Sequence, residues 1–265
     1  MKRYIDTHAH YADAAFDIDR DELIKNMFEN GVVCIIDPAV DLASSVKALG
    51  IALNYNNYYC AAGIHPHEAG DASEEDYHKL ASLIKDDLKN AVRKIVAVGE
   101  TGLDYHYDFS PRDIQIENFR KNIRLALELG LPLIVHDREA HADCFKVLLE
   151  ESAFSGKVLY HCYSGSAEYA LELLKYGCMF SFGGAVTFKN AKKFDEIFKV
   201  IPPGNILPET DSPYMAPEPL RGSRNNSLNL QYIYPRLSLL TGMDETDLEV
   251  QMAENTKRFF NISDI

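Results

Sequence analysis

The chain has 265 residues, of which 46% are hydrophobic, so it is long enough to bury one large core. Its 27 basic and 40 acidic residues give a formal net charge of −13, which argues against a broad, sequence-indifferent nucleic-acid surface but does not exclude a small phosphate site. No apolar run approaches the roughly 18 residues of a membrane span, and a strand-like segment follows Met1-Lys2-Arg3 directly, so we expect no signal peptide, no membrane association and a cytoplasmic location.

Eight short apolar runs predict parallel strands that are buried on both faces. Each run is followed by a helical pattern or a long loop. In chain order, the predicted strands are Tyr4–Thr7, Val32–Asp37, Tyr58–Ile64, Ile95–Gly99, Leu131–Val135, Lys157–Tyr160, Cys178–Phe182 and Ile206–Leu207.

Eight alternations of strand and helix in roughly 250 residues predict an α/β fold, the TIM (β/α)8 barrel. No linker-like composition marks a boundary, so we expect a single domain over residues 1–265. A doubly wound open sheet is the alternative, and it would need a glycine-rich phosphate loop after its first strand. This chain has His8-Ala9-His10 at that position, which favours the barrel.

Two of the intervening helices carry clear end signals. Ser73 is a predicted N-cap, because apolar residues recur at helical spacing after it. Ser110 as cap and Pro111 at the first helical position predict a second helix, which we expect to end at Gly130.

The end of the first predicted strand carries two histidines, His8 and His10. Side chains alternate along a strand, so these imidazoles share one face and are placed to bind one metal ion. The carboxyl ends of the strands carry the working groups of TIM-barrel enzymes. Further donors follow the predicted strands four, five, six and eight, and these are Glu100, His136, His161 and Asp211.

Four imidazoles and two carboxylates favour a transition metal, with zinc first, whereas magnesium prefers oxygen donors; manganese and magnesium remain alternatives. Six donors are too many for one tetrahedral ion that keeps a position open, so we predict two divalent ions per chain. His8, His10 and Asp211 would bind one ion, His136 and His161 the other, and Glu100 would bridge them. Asp211 is the predicted general base.

Each of these residues also has an ordinary structural interpretation. A single histidine near a strand end is usually a hydrogen-bonded surface or core residue. Asp211 lies in Pro208-Glu209-Thr210-Asp211-Ser212-Pro213, where an aspartate is also common as a turn or cap residue. Glu100 follows a buried apolar run, where a carboxylate is costly without a cation.

Four further residues are candidates for contact with a substrate. His65, at the end of the third predicted strand, is placed to donate to a phosphate or leaving group, and a structural hydrogen bond is the alternative. Arg138 shares a face with His136 and is placed to bind a phosphate through paired hydrogen bonds, unless it pairs with Glu139 or Asp143. Arg221 and Arg224 add positive charge to the loop after the last strand.

Taken together, eight segments resemble the TatD-type metal-dependent deoxyribonucleases, a family within the amidohydrolase-like barrels. The resemblance runs through nearly the whole chain. The segments are Asp6-Thr7-His8-Ala9-His10, Phe16-Asp17-Ile18-Asp19-Arg20, Gly63-Ile64-His65-Pro66-His67, Gly99-Glu100-Thr101-Gly102-Leu103-Asp104-Tyr105, His136-Asp137-Arg138-Glu139-Ala140, His161-Cys162-Tyr163-Ser164-Gly165, Glu209-Thr210-Asp211-Ser212-Pro213-Tyr214 and Asn255-Thr256-Lys257-Arg258-Phe259-Phe260.

The resemblance implies a TIM barrel with one or two divalent ions that hydrolyses phosphodiester bonds of DNA. Members of the family typically act as 3′–5′ exonucleases on single strands and sometimes at abasic sites, so single-stranded or damaged DNA is the expected substrate, with no obligate protein partner. By matching motif, the metal-binding role carries over to the six donors named above, and His65 matches a site position. The chain departs from the family's usual Arg-Gly-Lys-Arg-Asn-Glu-Pro loop, since residues 221–227 contain one cation fewer.

Two other functions compete with the nuclease. An amidohydrolase acting on small amides, lactones or phosphoesters would often bridge its metals with a carbamylated lysine after the fourth strand, where this chain has Gly99-Glu100. A non-catalytic binding barrel would be expected to have lost ligands, and none of the predicted ones is missing.

Overall fold

The computed structural model describes residues 2–263 and 265, and strands alternate with helices along this part of the chain. The strands are β1 Tyr4–Asp6, β2 Val32–Pro38, β3 Tyr58–Ala62, β4 Ile95–Asp104, β5 Leu133–Arg138, β6 Val158–Tyr160, β7 Met179–Phe182 and β8 Ile206–Pro208. The α-helices are α1 Arg20–Glu29, α2 Leu42–Ala52, α3 Glu74–Asp87, α4 Arg112–Leu129, α5 His141–Glu150, α6 Ala167–Leu174, α7 Lys193–Val200, α8 Leu230–Thr241 and α9 Glu245–Phe260. Every predicted strand is present.

The chain divides into two compact units. Unit A consists of Met1–Asp37 and Gly165–Ile265, and unit B consists of Pro38–Ser164. Within each unit, neighbouring strands are parallel and follow one another in chain order, as in a TIM barrel. The prediction of a single domain over residues 1–265 stays a prediction.

In unit B, the predicted ends of two strands are wrong. The prediction ended the fourth strand at Gly99 and the fifth at Val135, but β4 continues to Asp104 and β5 to Arg138. The two extensions pair with each other from Thr101 opposite Val135 to Asp104 opposite Arg138. Glu100 and His136 therefore lie inside paired strands, where neighbouring backbone fixes their positions.

Gly102 makes this extended pairing possible. Its φ of 138° is unfavourable for residues with a side chain, and a Cβ atom there would lie 2.0 Å from the carbonyl oxygen of His136. The close backbone approach between β4 and β5 at this point requires glycine.

The two predicted helix starts have different outcomes. Ser73 is the N-cap of α3, and its side chain accepts a hydrogen bond from the Asp76 backbone N–H. The predicted start of α4 is one residue too early, because Pro111 is the N-cap residue and the helix begins at Arg112. Ser110 is therefore not the cap, and its hydroxyl donates to the His67 carbonyl and accepts from the Gly70 backbone N–H. The predicted end of α4 is confirmed, since Gly130 adopts the left-handed conformation there.

In unit A, the first and last strands are joined directly. The Thr7 backbone N–H donates to the Pro208 carbonyl, and β8 pairs with β7 on its other side. Beyond β8, Ala9 and Ser212 form a parallel bridge. This pairing places the residues that follow β1 beside those that follow β8. Over the described residues, no helix is both long and apolar enough to cross a bilayer.

Candidate metal centre

Unit A brings together the three donors that were predicted to share an ion. The Nε2 atoms of His8 and His10 lie 3.2 Å apart, and Asp211 Oδ1 lies 3.9 Å from the first and 3.4 Å from the second. Asp211 adopts a left-handed φ of 56°, a conformation that aspartate tolerates better than most residues. These three side chains form a group that could bind one cation.

Backbone hydrogen bonds hold this group together. The Asp211 N–H donates to the His8 carbonyl at 2.8 Å, and the His10 N–H donates to the Ser212 carbonyl at 2.7 Å. The donors of unit A are thus positioned by the pairing of two chain segments that are about two hundred residues apart in the sequence.

A buried aspartate, Asp6, supports the same two segments. Its carboxylate accepts from the Thr210 backbone N–H at 2.9 Å, from the Thr210 hydroxyl at 2.6 Å, from the Ser227 hydroxyl at 2.6 Å and from the His8 backbone N–H at 3.3 Å. Burial raises the pKa of Asp6 to about 7, although these hydrogen bonds act in the opposite direction. Asp6 connects the backbones on which the donors lie.

Unit B gathers its donors around one carboxylate oxygen. Glu100 Oε1 lies 2.7 Å from His161 Nε2, 2.9 Å from His136 Nδ1 and 3.5 Å from His65 Nε2. The Nδ1 atom of His136 and the Nε2 atom of His161 face each other at 3.2 Å. Two imidazole nitrogens that converge on one carboxylate oxygen form the mixed nitrogen and oxygen donor set that transition metals prefer.

Behind His136 lies a second carboxylate, Asp104, which is fully buried. Its Oδ2 atom lies 3.0 Å from His136 Nε2 and 2.9 Å from His67 Nε2. A carboxylate only accepts hydrogen bonds, so both imidazoles donate Nε2–H to it. In a neutral His136, Nδ1 therefore presents its lone pair towards Glu100, which is the orientation that metal ligation needs.

The pKa shifts of Asp104 and His136 agree with this hydrogen-bonded arrangement. Burial disfavours ionisation of Asp104, but the hydrogen bonds from His136 and His67 outweigh it and hold the pKa of Asp104 well below its usual range. Burial lowers the pKa of His136, but the hydrogen bonds to Asp104 and Glu100 outweigh this effect and raise it. Each ring nitrogen of His136 therefore faces a carboxylate.

His65 is oriented differently from the other histidines. Its Nδ1 accepts a hydrogen bond from the His67 backbone N–H at 3.1 Å, so Nε2 carries the proton of the neutral ring. Burial lowers the pKa of His65 to about 4, only partly opposed by Glu100. His65 is thus a neutral donor near neutral pH, and its contact with substrate stays a prediction.

Sequence reasoning missed two members of this group, Asp104 and His67. Asp104 lies four residues beyond Glu100 on the same strand, so strand alternation alone places both carboxylates on one face. The predicted end of the strand at Gly99 concealed that signal. His67 lies two residues beyond His65, but only the tertiary structure shows that it shares Asp104 with His136.

Among the predicted substrate contacts, Arg138 lies closest to these donors in the sequence. Its guanidinium carbon is 4.7 Å from the centroid of the Tyr107 ring. The alternative partners are engaged elsewhere, since Glu139 pairs with His106 and Asp143 accepts from a tyrosine hydroxyl. Among the described residues, no carboxylate forms an ion pair with Arg138.

The two arginines of the last long loop lie in unit A. Arg221 is exposed and stacks over the Phe188 ring at 3.6 Å. Arg224 forms a two-pronged ion pair with Asp19 and also donates to the Ala15 carbonyl at 2.8 Å. A phosphate at Arg224 would have to compete with Asp19.

The strand order and the two donor sets define a metal-dependent hydrolase of the TIM-barrel class. The sequence profile of the TatD related DNase family matches residues 5–261, and the chain belongs to this family. The predicted fold class, the family and the predicted ester-bond hydrolase are confirmed.

Three relatives illustrate this membership. A Bacillus subtilis protein named as an uncharacterized metal-dependent hydrolase is 41% identical over 97% of this chain and 99% of its own length. The Cronobacter sakazakii protein named 3'-5' ssDNA/RNA exonuclease TatD is 33% identical over 92% of this chain and 93% of its own. The crystal structure of an Escherichia coli TatD homologue superposes with a TM-score of 0.90 at 27% identity, covering 98% of this chain and 99% of that one.

Proposed function

We propose that the protein hydrolyses phosphodiester bonds in single-stranded or damaged DNA, in the 3′–5′ direction, with two divalent metal ions per chain. The observation that carries this proposal is the convergence of imidazole nitrogens on carboxylate oxygens in each unit, at His8, His10 and Asp211 and around Glu100. The name of the Cronobacter sakazakii relative supports the choice of substrate.

The donor atoms fit divalent cations. In both units, two ring nitrogens lie 3.2 Å apart beside a carboxylate oxygen, so that their lone pairs can bind the same cation. Zinc fits this mixture of nitrogen and oxygen donors best, with manganese or magnesium as alternatives. The bridging role of Glu100 stays a prediction.

Bound divalent ions would supply Lewis acidity towards the phosphate and towards a water molecule. Asp211 accepts the proton that a water molecule releases when it attacks phosphorus, because its carboxylate lies beside the two imidazoles that would bind the same metal ion as the water. His65 donates its Nε2–H to a phosphate or leaving-group oxygen. Asp104 keeps the proton of His136 on Nε2, so that the Nδ1 lone pair would be available to bind a metal ion.

Substrate phosphates bind to arginine side chains in this proposal. Arg138 is the strongest candidate, because no carboxylate among the described residues competes for its guanidinium. Arg221 and Arg224 stay predicted phosphate contacts, and Arg224 would have to release Asp19. The cytoplasmic location and the lack of an obligate protein partner also stay predictions.

The test is hydrolysis of a 5′-labelled DNA strand by protein loaded with zinc, manganese or magnesium. We expect stepwise release of mononucleotides from the 3′ end, loss of activity with a chelator, and two bound ions per loaded chain by elemental analysis. Cleavage of small amides alone would favour the amidohydrolase alternative. A count of one tightly bound ion or fewer per loaded chain would overturn the two-ion form.

A further inference from the structure

Two exposed aromatic rings lie in the loop between β4 and α4. The side chains of Tyr107 and Phe109 are 48% and 68% exposed, and their rings are stacked with centroids 5.2 Å apart and an angle of 18° between their planes. We call this pair the aromatic stack. Rings that are this exposed contribute little to a core, so the arrangement needs another explanation.

The loop that carries the aromatic stack is held in place from within unit B. Asp104 Oδ1 accepts hydrogen bonds from the backbone N–H groups of His106 and Tyr107, at 3.0 and 2.9 Å. Further along, Arg112 binds both carboxylate oxygens of Asp108. These contacts hold the backbone that carries the two rings, which lowers the entropy cost of ordering the loop when a flat ligand binds.

The aromatic stack is directly connected to the candidate metal ligands. His67 contacts both rings edge-on, with centroids 5.5 Å from Tyr107 and 4.8 Å from Phe109. The same imidazole donates to Asp104, which orients His136. The aromatic stack is thus linked, through the side chains of His67 and Asp104, to His136, whose Nδ1 atom faces Glu100.

A cation completes the surface. The guanidinium of Arg138 lies over the Tyr107 ring, and it has no ion-pair partner among the described residues. Surfaces that bind single-stranded nucleic acid combine aromatic rings for the bases with positive charge for the backbone. Tyr107, Phe109 and Arg138 provide both elements within one contiguous set of contacts.

We propose that the aromatic stack binds one unpaired nucleobase of the substrate strand, with Arg138 on a phosphate of the same strand. This inference rests on the proposed function and adds a physical reason for this protein to prefer single-stranded DNA to a duplex. A base inside a duplex is stacked on both faces, so it has to leave the duplex before it can lie on the ring of Phe109. An unpaired base avoids this cost.

The test compares Phe109→Ala with Phe109→Trp on a single-stranded oligonucleotide. Loss of one base–aromatic stack should raise KM by roughly 5- to 150-fold with little change in kcat, because stacking is equal in the ground and transition states. Tryptophan should restore KM. Val92→Ala is the matched control, because Val92 is also 68% exposed and precedes β4 at the opposite end of that strand.

A second substrate separates this inference from the proposed function. On a strand whose 3′-terminal nucleotides lack bases, the wild type and Phe109→Ala should have the same KM. Equal KM values for wild type and Phe109→Ala on the base-containing strand, with hydrolysis intact, would overturn the stacking role alone.

Binding is measured independently of catalysis. A strand with hydrolysis-resistant phosphorothioate linkages and 2-aminopurine near its 3′ end should lose fluorescence on binding the metal-loaded wild type, and should keep it with Phe109→Ala. If no strand is hydrolysed with any metal, the proposed function fails, and the fluorescence then decides whether the stack binds bases. Unchanged fluorescence with the wild type would contradict the inference.

Discussion

The two units hold their donor residues by different means. In unit A, backbone hydrogen bonds between the segments after β1 and β8 bring His8, His10 and Asp211 together. In unit B, strand pairing positions Glu100 and His136, and a side chain, Asp104, additionally fixes the orientation of the His136 ring. Each unit thus relies on one buried carboxylate, but among the described residues Asp6 contacts only backbone groups and hydroxyls around its donors, whereas Asp104 also contacts the ring of a proposed ligand.

This difference indicates where each unit should be sensitive to substitution. Hydrogen bonds to backbone preserve the path of the chain, so their loss should appear mainly as lower stability. A carboxylate that accepts from a ligand imidazole fixes which nitrogen is protonated, so its loss should appear in metal affinity. The following predictions test this contrast, from the largest effect to the smallest.

Removal of one donor from either unit should have the largest effect. We expect Asp211→Ala and His136→Ala each to lower kcat for DNA hydrolysis by at least about 10²-fold, because both lose a proposed metal ligand. Circular dichroism and thermal melting should show that both variants remain folded. His78→Ala is the matched control, since His78 is exposed on α3. Near-normal turnover in either donor variant would contradict its assignment.

Substitution of the two supporting carboxylates, Asp104 and Asp6, should have different effects in the two units. Metal affinity should fall in unit B, and stability should fall in unit A. In Asp104→Asn, the backbone N–H groups of His106 and Tyr107 keep the amide oxygen on their side and turn the NH2 group towards His136. That amide donates to Nε2, so the proton moves to Nδ1 and ligation is lost. We expect metal affinity to fall by about 10- to 100-fold, as measured by competition with a chelating dye.

Asp6→Asn is the matched comparison in unit A. Its amide oxygen can still accept from the Thr210 N–H, while the contacts to two hydroxyls weaken. We expect a loss of about 1–3 kcal/mol in the free energy of unfolding and metal affinity within a few-fold of wild type. The contrast between the units would be wrong if both variants lost metal affinity equally.

The smallest expected effect is a change in the salt dependence of DNA binding when an arginine is replaced. Removing one phosphate contact reduces the slope of log binding constant against log salt by about one unit. We expect this change in Arg138→Ala, whose guanidinium has no carboxylate partner among the described residues, and a smaller change in Arg224→Ala, because Arg224 is paired with Asp19. Measurement by fluorescence anisotropy over a salt series checks both variants. A larger change for Arg224 would show that DNA displaces Asp19.

Much of the fold could be predicted from the pattern of apolar runs. Buried parallel strands are short and apolar throughout, so all eight were recognisable without knowledge of their neighbours. The ends of β4 and β5 were not, because Glu100, Asp104 and His136 interrupt the apolar pattern. Pairing between the two strands continues past that point, and pairing depends on residues distant in the sequence.

Ser110 illustrates the same limit at a helix start. A serine followed by proline is a common signal for a helix N-terminus, but its hydroxyl can bond any nearby backbone group. In the folded protein, that group is the His67 carbonyl, more than forty residues earlier in the chain. The local pattern located the helix, and a tertiary contact determined the role of the serine.

By itself, the sequence determined the fold class and the types of donor, because these follow from apolar periodicity and from residue types near strand ends, and it determined the family through the eight segments that resemble the TatD-type enzymes. The tertiary structure decided which ring nitrogen of His136 faces Glu100, which carboxylate orients it, and which arginine is already paired. These features depend on distances of about 3 Å between side chains on different elements, and such distances exist only after the strands have paired.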